Sequence, residues 1–197
     1  MSSWISLFTE RLTSCNPALE EKFRHWFWPI GTCLGDKQLW WGKQKKRLTP
    51  HEGVDLAYYM DKKGGKQHVA PGLRIPTIFS GTVVQLHQDF LNWSVYIRHE
   101  QFGRNDKVLH TVYGHVQPNE GLDVGQEFET GKAVALLEEY AKSTVPIHLH
   151  FTIALIPKEI PSQELSWQLL SEHEGIVLVD PLAECDEKED GSALSSK

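Results

Sequence analysis

The sequence predicts a mainly β protein, an antiparallel β-sandwich or small barrel, with short N-terminal helices and one short C-terminal helix. Three observations predict this class. From residue 50 onward, apolar and polar residues alternate with the period of two that is typical of strands. Glycine-containing turns separate these segments. No helical pattern intervenes between the strands, which favours antiparallel pairing over a parallel sheet with crossover helices.

The first 49 residues form a helical and aromatic segment that we expect to pack on the β core. Apolar residues at helical spacing predict a first amphipathic helix, namely Trp4, Leu7, Phe8 and Leu12. Asn16 and Pro17 match the N-cap and first position of a second helix, which should run to about Phe27. The aromatic residues are expected to dock these helices on the core, with a cleft wall the less favoured alternative for Trp40 and Trp41.

Residues 50–185 form one β domain. Its strands are predicted at Gly81 to Leu86, Trp93 to Arg98, Val108 to His115, Ala133 to Leu137 and Leu149 to Ile156. The alternation in the second of these predicts a half-buried strand. A short helix is expected between Ser162 and Ser171, ending before Gly175. Residues 186–197 are polar enough to form a disordered tail.

Length and charge bound the class of protein. At 197 residues the chain suits one domain with a sizeable core. Its net charge of −6 argues against a general nucleic-acid-binding protein, which needs a basic surface. One basic cluster exists, and we interpret it as a solvated loop; its members are Lys43, Lys45, Lys46 and Arg47.

Cysteine usage and hydropathy exclude further classes. Cys15, Cys33 and Cys185 are odd in number and far apart, so they indicate neither a disulfide framework nor a cysteine-type zinc site. No apolar run reaches the ~18 residues of a membrane span. The N-terminal residues lack the basic and apolar regions of a secretory signal.

Two short motifs carry candidate metal ligands. His51-Glu-Gly-Val-Asp55 and His148-Leu-His150 together offer three histidines and a carboxylate, which are ligand types that zinc prefers. An extended strand would separate His51 from Asp55 by roughly 13 Å, so this segment must bend, and Gly53 tolerates unusual backbone angles. In a strand, His148 and His150 leave the same face, so one can bind metal while the other serves the chemistry beside it.

A third motif makes the order of the pieces informative. His110-Thr-Val-Tyr-Gly-His115 lies within a β-branched, alternating run. The order resembles the lysostaphin-type, LytM-like zinc endopeptidases, which cut peptidoglycan peptides. That family carries H-x-x-x-D first, then a T-x-Y-x-H strand, then H-x-H followed by an aromatic residue. The blocks Ile75 to Val84 and Leu122 to Gln126 also resemble family segments, and the resemblance covers roughly residues 50 to 157.

The resemblance implies a fold and a site. The fold would be a β-sandwich of the duplicated hybrid motif type, with residues 50–185 as a zinc peptidase domain. One Zn²⁺ per chain would be held by His51, Asp55 and His150. His115 and His148 would be catalytic, one taking a proton from water and the other stabilising the oxyanion or protonating the leaving amine. Bound zinc would lower the pKa of a water molecule to about 7.

The resemblance also implies partners and a location. The substrate would be a peptide from peptidoglycan, in its stem or cross-link. A protein that cuts the cell wall would be located in the cell envelope or outside the cell, although this chain shows no signal peptide. No nucleic acid or membrane span is expected. His99 and His110 match no family position and are expected to pack or face solvent.

One segment departs from the family pattern. Glu138 to Ile147 precedes His-x-His without the usual glycines and with two glutamates and a proline. We therefore expect poor cleavage of polyglycine and better cleavage of stem-peptide bonds. Two alternatives to an enzyme remain: a peptide-binding or hydrolase-activating module of the same fold, and a sugar-phosphotransfer domain. The second has no need for Asp55 or for a third histidine.

Overall fold

The computed structural model describes residues 2–42, 46–140 and 143–185. Its secondary structure is mainly β, which confirms the predicted class. The first seven strands are β1 (Ser2–Ser3), β2 (Phe23–Phe27), β3 (Val54–Leu56), β4 (Tyr58–Asp61), β5 (Lys66–His68), β6 (Leu73–Pro76) and β7 (Gly81–Gln88). The others are β8 (Trp93–Arg104), β9 (Lys107–Pro118), β10 (Glu127–Phe128), β11 (Ala133–Leu137), β12 (Leu149–Pro157), β13 (Val177–Val179) and β14 (Glu184–Cys185). The helices are α1 (Trp4–Cys15), α2 (Pro17–Glu20) and α3 (Trp167–Glu172), with a 3₁₀ turn at Ser162–Glu164.

All strand pairs in the described chain are antiparallel, as expected. The largest sheet runs β10-β7-β8-β9, and the free edge of β9 then pairs with both β12 and β11. β12 also pairs with β3 and β13, and β11 pairs with β6. No pairing among the described strands closes this sheet, so the small-barrel alternative is wrong. The duplicated-hybrid-motif type of sandwich stays a prediction.

The central strands are buried on both faces. Helix α1 covers one face, where Phe8 stacks on Phe151 of β12 with ring centroids 4.5 Å apart. Leu165 and Leu170, from the segment that contains α3, cover the other face. Ser94 and Tyr96 on β8 are therefore fully buried, and the expectation of a half-buried strand there is wrong. Alternating polar and apolar residues show which side chains are polar, but they do not show whether the polar face is covered. A second covering layer can bury both faces of a strand.

The second helix is shorter than predicted. It ends at Glu20, and β2 takes the place of its remaining turns by pairing with β4. Local propensity gives way here to the backbone hydrogen bonds that a neighbouring strand offers. Trp26 of β2 is buried, and its indole donates to the hydroxyl of Thr9 on α1 at 2.8 Å, so this aromatic residue docks on the core as expected.

Other sequence expectations concern the ends of the chain and the membrane. The predicted tail, residues 186–197, and the cluster members Lys43 and Lys45 lie outside the described residues. No helix in the described chain is long and apolar enough to cross a membrane.

A buried polar network lies in the core at His99, away from the candidate metal ligands. Nδ1 of His99 donates to the Ser80 carbonyl at 2.8 Å, and Nε2 lies 2.9 Å from the hydroxyl of Thr111. That hydroxyl lies 3.2 Å from the hydroxyl of Tyr113. Burial lowers the pKa of His99 to about 4, and burial likewise lowers the pKa of His110 to about 4. Both histidines pack within the sheet, as expected.

The buried neutral histidines make the fold acid-sensitive. Between about pH 6.5 and pH 4 the unfolded chain binds protons that folded His99 does not, so the free energy of unfolding falls as the pH falls. The slope contributed by one such histidine is about 1.4 kcal/mol per pH unit. His99→Gln should reduce the measured slope by about this amount in urea unfolding of metal-free protein. His25→Gln, on the exposed side of β2, is the matched control. An unchanged slope in His99→Gln would contradict the assignment.

Candidate metal centre

The bend between His51 and Asp55 brings their side chains to one point. Nε2 of His51 lies 3.1 Å from Oδ1 of Asp55. This bend requires glycine at position 53 because β12 approaches the backbone closely there. A left-handed backbone conformation is not the reason, since the φ of Gly53 is not positive. A Cβ there would lie 2.3 Å from the carbonyl oxygen of Phe151 and 2.4 Å from Oγ1 of Thr152. Glycine thus lets the bend press against β12.

Strand pairing brings the third member to the same point. Asp55 on β3 lies directly opposite His150 on β12, and directly opposed residues of antiparallel strands have adjacent side chains. Nδ1 of His150 lies 2.9 Å from Oδ1 of Asp55 and 3.0 Å from Nε2 of His51. All three residues are buried. The structure therefore brings together the three predicted ligands.

The outer hydrogen bonds of the two histidines define their protonation. Nδ1 of His51 lies 3.1 Å from the Cys33 carbonyl, which can only accept, so the proton of a neutral His51 sits on Nδ1. Nε2 of His150 lies 2.9 Å from the Thr152 hydroxyl. That hydroxyl donates to the Glu52 carbonyl and so accepts from His150. The inner nitrogens, Nε2 of His51 and Nδ1 of His150, are then both unprotonated.

When both histidines are neutral, three hydrogen-bond acceptors therefore face one another with no hydrogen among them. The two inner nitrogens and Oδ1 of Asp55 are separated by 2.9 to 3.1 Å. Buried acceptors in such contact repel one another unless a proton or a cation lies among them. A proton would satisfy one pair, whereas a cation satisfies all three. Tetrahedral zinc sites place nitrogen and oxygen ligands about 3.3 Å apart, so the donor set and its spacing fit zinc.

The second carboxylate oxygen of Asp55 is held from the other side. Nε1 of Trp40 donates to Oδ2 at 2.7 Å, and Nη2 of Arg47 donates to it at 3.1 Å. Arg47 also donates to the Gly31 carbonyl at 3.0 Å. Burial acts to raise the pKa of Asp55, but the neighbouring histidines, first among them His51, hold it well below the usual range. These bonds leave Oδ1 as the oxygen free for a metal.

His148 lies beside this cluster with an unused nitrogen. Its Nδ1 donates to the Pro146 carbonyl at 2.8 Å, so Nε2 is unprotonated. This Nε2 is buried, has no hydrogen-bond partner among the described residues, and lies 3.6 Å from Oδ1 of Asp55. Burial lowers the pKa of His148 to about 4. The rings of Trp40 and Trp41 flank it at centroid distances of 5.1 and 5.6 Å.

His115 reaches the centre through an irregular strand. Regular alternation would direct it with Tyr113 into the core under α1, but β9 carries a bulge opposite Ser94, and His115 has a φ of 64°. Bulges re-aim side chains and occur beside active sites, and a positive φ is uncommon outside glycine. The His115 ring lies 5.0 Å from that of His148 and 5.8 Å from that of His150.

A buried carboxylate orients His115. Oδ2 of Asp89 lies 3.0 Å from Nδ1 of His115 and accepts from the hydroxyl of Ser94 at 2.7 Å. Oδ1 accepts from the backbone amides of Leu91 and Asn92. Burial acts to raise the pKa of Asp89, but these bonds, beginning with that from His115, hold it well below the usual range. This fixes the proton of a neutral His115 on Nδ1 and leaves Nε2 unprotonated.

A cleft of about 350 Å³ opens over the centre. Besides the site residues, its walls include Leu39, Trp41, Lys46, Leu48, Thr49, Glu52, Phe90 and Trp167. Leu48 and Phe90 are large apolar side chains that are mostly exposed, and the Phe90 ring rests 5.3 Å from that of His115. Exposed apolar side chains grouped at a cleft indicate a binding surface.

The segment Glu138 to Ile147 contacts the centre through Tyr140. The hydroxyl of Tyr140 donates to the His148 carbonyl at 2.6 Å and accepts from its amide at 3.0 Å. Glu138 and Glu139 are exposed and do not line the cleft. Residues 141 and 142 lie outside the described part of the chain. The effect of this segment on substrate choice stays a prediction.

Sequence reasoning missed several residues of the centre. Arg47, interpreted as part of a solvated basic loop, lies at the centre. Trp40 and Trp41 also lie there, which agrees with the less favoured alternative of a cleft wall and not with the preferred docking on the core. Asp89 and Trp167 were not singled out at all. The signal available for Asp89 was an Asp followed three residues later by Asn in a strand-connecting turn, a common Asx-turn pattern that does not by itself indicate function.

Comparisons with known proteins bear on the fold. No family model and no curated protein matches the chain. Twenty chains of solved structures match it. They include a zinc containing peptidase from Vibrio cholerae, at 18% identity over 71% of this chain and 32% of that chain (TM-score 0.45). The chain thus spans about a third of that protein.

Two further matches are the catalytic domain of the antimicrobial peptidase lysostaphin from Staphylococcus simulans and a mutant catalytic domain of the prophage-encoded M23 protein EnpA from Enterococcus faecalis. The first has 19% identity over 54% of this chain and 68% of that chain, and the second 18% over 66% and 85%, both with a TM-score of 0.39. The matched structures are thus of the class that the sequence motifs resemble. With identities below 25% and TM-scores below 0.5, they assign no activity or substrate to this chain.

The hydrogen bond from Trp40 to Asp55 should strengthen metal binding. Trp40→Phe keeps an aromatic ring against His148 but removes one of the two donors to Oδ2, so Asp55 is held in orientation by Arg47 alone. We expect zinc affinity to fall by about 10-fold or more, the usual scale for a partner that orients a ligand. Competition with a chromophoric chelator measures this. Trp41→Phe, which changes a neighbouring ring with no described bond to Asp55, should leave the affinity near wild type. Equal affinities in the two variants would overturn the role of Trp40.

Proposed function

We propose that this protein is a zinc-dependent metalloendopeptidase that hydrolyses peptide bonds, in particular those of peptidoglycan peptides. The observation that carries the proposal is the convergence of three buried ligand atoms, from His51, Asp55 and His150, within 3.1 Å of one another. Such a centre has the composition and open side of a catalytic metal site, since three protein ligands leave a position for substrate or water.

The metal would be held by Nε2 of His51, Oδ1 of Asp55 and Nδ1 of His150. When bound there, zinc supplies the Lewis acidity that polarises a peptide carbonyl and acidifies water. The bonds that Cys33 and Thr152 accept hold the two histidine rings in orientation. Hydrogen bonds of this kind fix the tautomer and raise the basicity of the ligand.

His148 is the better candidate for the general base. Its Nε2 is unprotonated, is buried and has no hydrogen-bond partner in the part of the chain that the structure describes. Burial keeps the pKa of His148 low enough for the neutral form to dominate at neutral pH. It would take the proton of the attacking water. His115 is backed by the Asp89 carboxylate, which would stabilise positive charge on the ring when it carries a second proton. His115 would then stabilise the oxyanion or protonate the leaving amine.

A substitution series separates ligands from acid–base groups. Purified protein should hold one zinc ion per chain, measured by elemental analysis, and His150→Ala should abolish binding. His115→Ala and His148→Ala should keep the metal and lower turnover by about 10²-fold or more. Loss of metal from either of these two variants would show that its histidine is a ligand.

The alternatives give different outcomes in the same series. A protein that takes up no zinc on titration would contradict the metalloenzyme and leave the sugar-phosphotransfer class. A protein that holds zinc but cleaves no peptide, in cell-wall digests analysed by mass spectrometry, would be a binding or activating module. Full activity in both His115→Ala and His148→Ala would contradict the proposed mechanism.

The cleft wall should favour substrates with side chains over polyglycine. Leu48 and Phe90 offer apolar surface that a glycine bridge cannot cover, and each buried CH₂ group is worth about 0.8 kcal/mol. A stem-type tetrapeptide cross-link should be cleaved faster than pentaglycine, and Phe90→Ala should narrow the ratio of their kcat/KM values. Val177→Ala, an exposed apolar residue that does not line the cleft, is the control. Faster cleavage of pentaglycine by the wild type would contradict this preference.

A further inference from the structure

Trp167 joins the C-terminal segment to the metal centre. It opens α3, whose N-cap Ser166 accepts from the amide of Leu169 at 3.2 Å. Its indole ring stands edge to face against the ring of the candidate ligand His150, with centroids 4.5 Å apart. The indole ring therefore limits the rotation of the His150 ring.

The sheet leaves room for this indole at Gly114. A Cβ at Gly114 would lie 2.8 Å from Cζ2 of Trp167 and 3.3 Å from Cβ of His150. Gly114 lies directly opposite His150 in the pairing of β9 with β12. The space that a side chain would fill beside His150 is thus filled by a ring from α3, a distant segment of the chain.

The polar edge of the same indole begins a chain of hydrogen bonds that ends at His115. Nε1 of Trp167 donates to Oγ of Ser94 at 3.0 Å. Ser94 is fully buried and donates its own proton to Oδ2 of Asp89 at 2.7 Å. The same oxygen lies 3.0 Å from Nδ1 of His115. Because Ser94 accepts from the indole, its proton is directed to the carboxylate, and such chains strengthen each member.

We propose that Trp167 is a positioning residue for both halves of the centre. Its ring holds His150 for the metal, and its N–H, through Ser94, holds the Asp89–His115 pair. The role of the N–H rests on the proposed function, since the Asp89–His115 pair matters only to turnover. The role of the ring concerns metal affinity alone. The two roles belong to different atoms of one side chain and can be separated by substitution.

Trp167→Phe removes the N–H and keeps a ring against His150. We expect zinc affinity within about 3-fold of wild type, unchanged KM, and kcat lowered about 10-fold, because a misplaced acid–base group slows chemistry without weakening substrate binding. Ser94→Ala should give the same pattern. The double variant should be no slower than Ser94→Ala alone, because both changes break one chain. Trp28→Phe, away from the centre, is the matched control.

Trp167→Ala removes the ring as well. Zinc affinity, measured by chelator competition, should then fall by about 10- to 100-fold, as expected when the orientation of a ligand is lost. Circular dichroism and thermal unfolding of the metal-free variants check that each one folds. Should Trp167→Ala unfold, Trp167→Leu, which keeps apolar volume and loses the aromatic edge, replaces it.

The outcomes are distinct. If the double variant lost kcat by the product of the two single losses, Trp167→Phe and Ser94→Ala would act independently. That result would overturn the hydrogen-bonded chain. Unchanged zinc affinity in folded Trp167→Ala or Trp167→Leu would overturn the role of the ring. If the wild type binds zinc but cleaves no peptide, the proposed function fails. The zinc affinities would then still decide the ring's role, and the coupling of Trp167→Phe with Ser94→Ala in urea unfolding would decide whether the chain exists.

Discussion

The structure around the candidate centre depends on one buried carboxylate, that of Asp55. A buried charge is costly unless its oxygens are fully engaged. Oδ2 is engaged by Trp40 and Arg47, which the segment before the bend provides. Oδ1 faces His51, from the bend before β3, and His150, from the paired strand β12. The loop, the bend and the pairing of β3 with β12 are all required to keep this group ionised inside the protein.

The sheet supplies the frame for that carboxylate. β9 and β12 are buried on both faces and pair over eight consecutive residues, so His150 stands within a long, buried strand pair. His115 stands where β9 departs from regularity, at a bulge and a positive φ. Backbone strain of this kind persists only when the surroundings determine it, and it clusters at functional sites. The candidate ligand His150 and the re-aimed His115 thus both stand on one strand pair.

Asp89 connects the buried side chains of the centre with the exposed turn that follows β7. One carboxylate oxygen receives His115 and Ser94, while the other receives the amides that shape the turn carrying Phe90. The turn that carries the exposed Phe90 ring is therefore built on the group that orients a candidate catalytic histidine. Through Ser94 the same group is joined to Trp167 and α3. A segment near the end of the described chain is in this way part of the centre.

The sequence by itself predicted five strands of the main sheet, namely β7, β8, β9, β11 and β12. It also marked three candidate ligands and two further histidines, because period-two patterns and short motifs are local. The bend at Gly53 was also expected, but its cause is the approach of β12, which only the folded chain contains. The replacement of the second helix by β2, the burial of both sheet faces and the partners Arg47, Trp40, Asp89 and Trp167 were decided by tertiary structure. Each depends on a contact between residues that are not neighbours in the chain. A single sequence carries no local signal for such a contact, because burial and hydrogen-bond geometry arise only when distant segments meet.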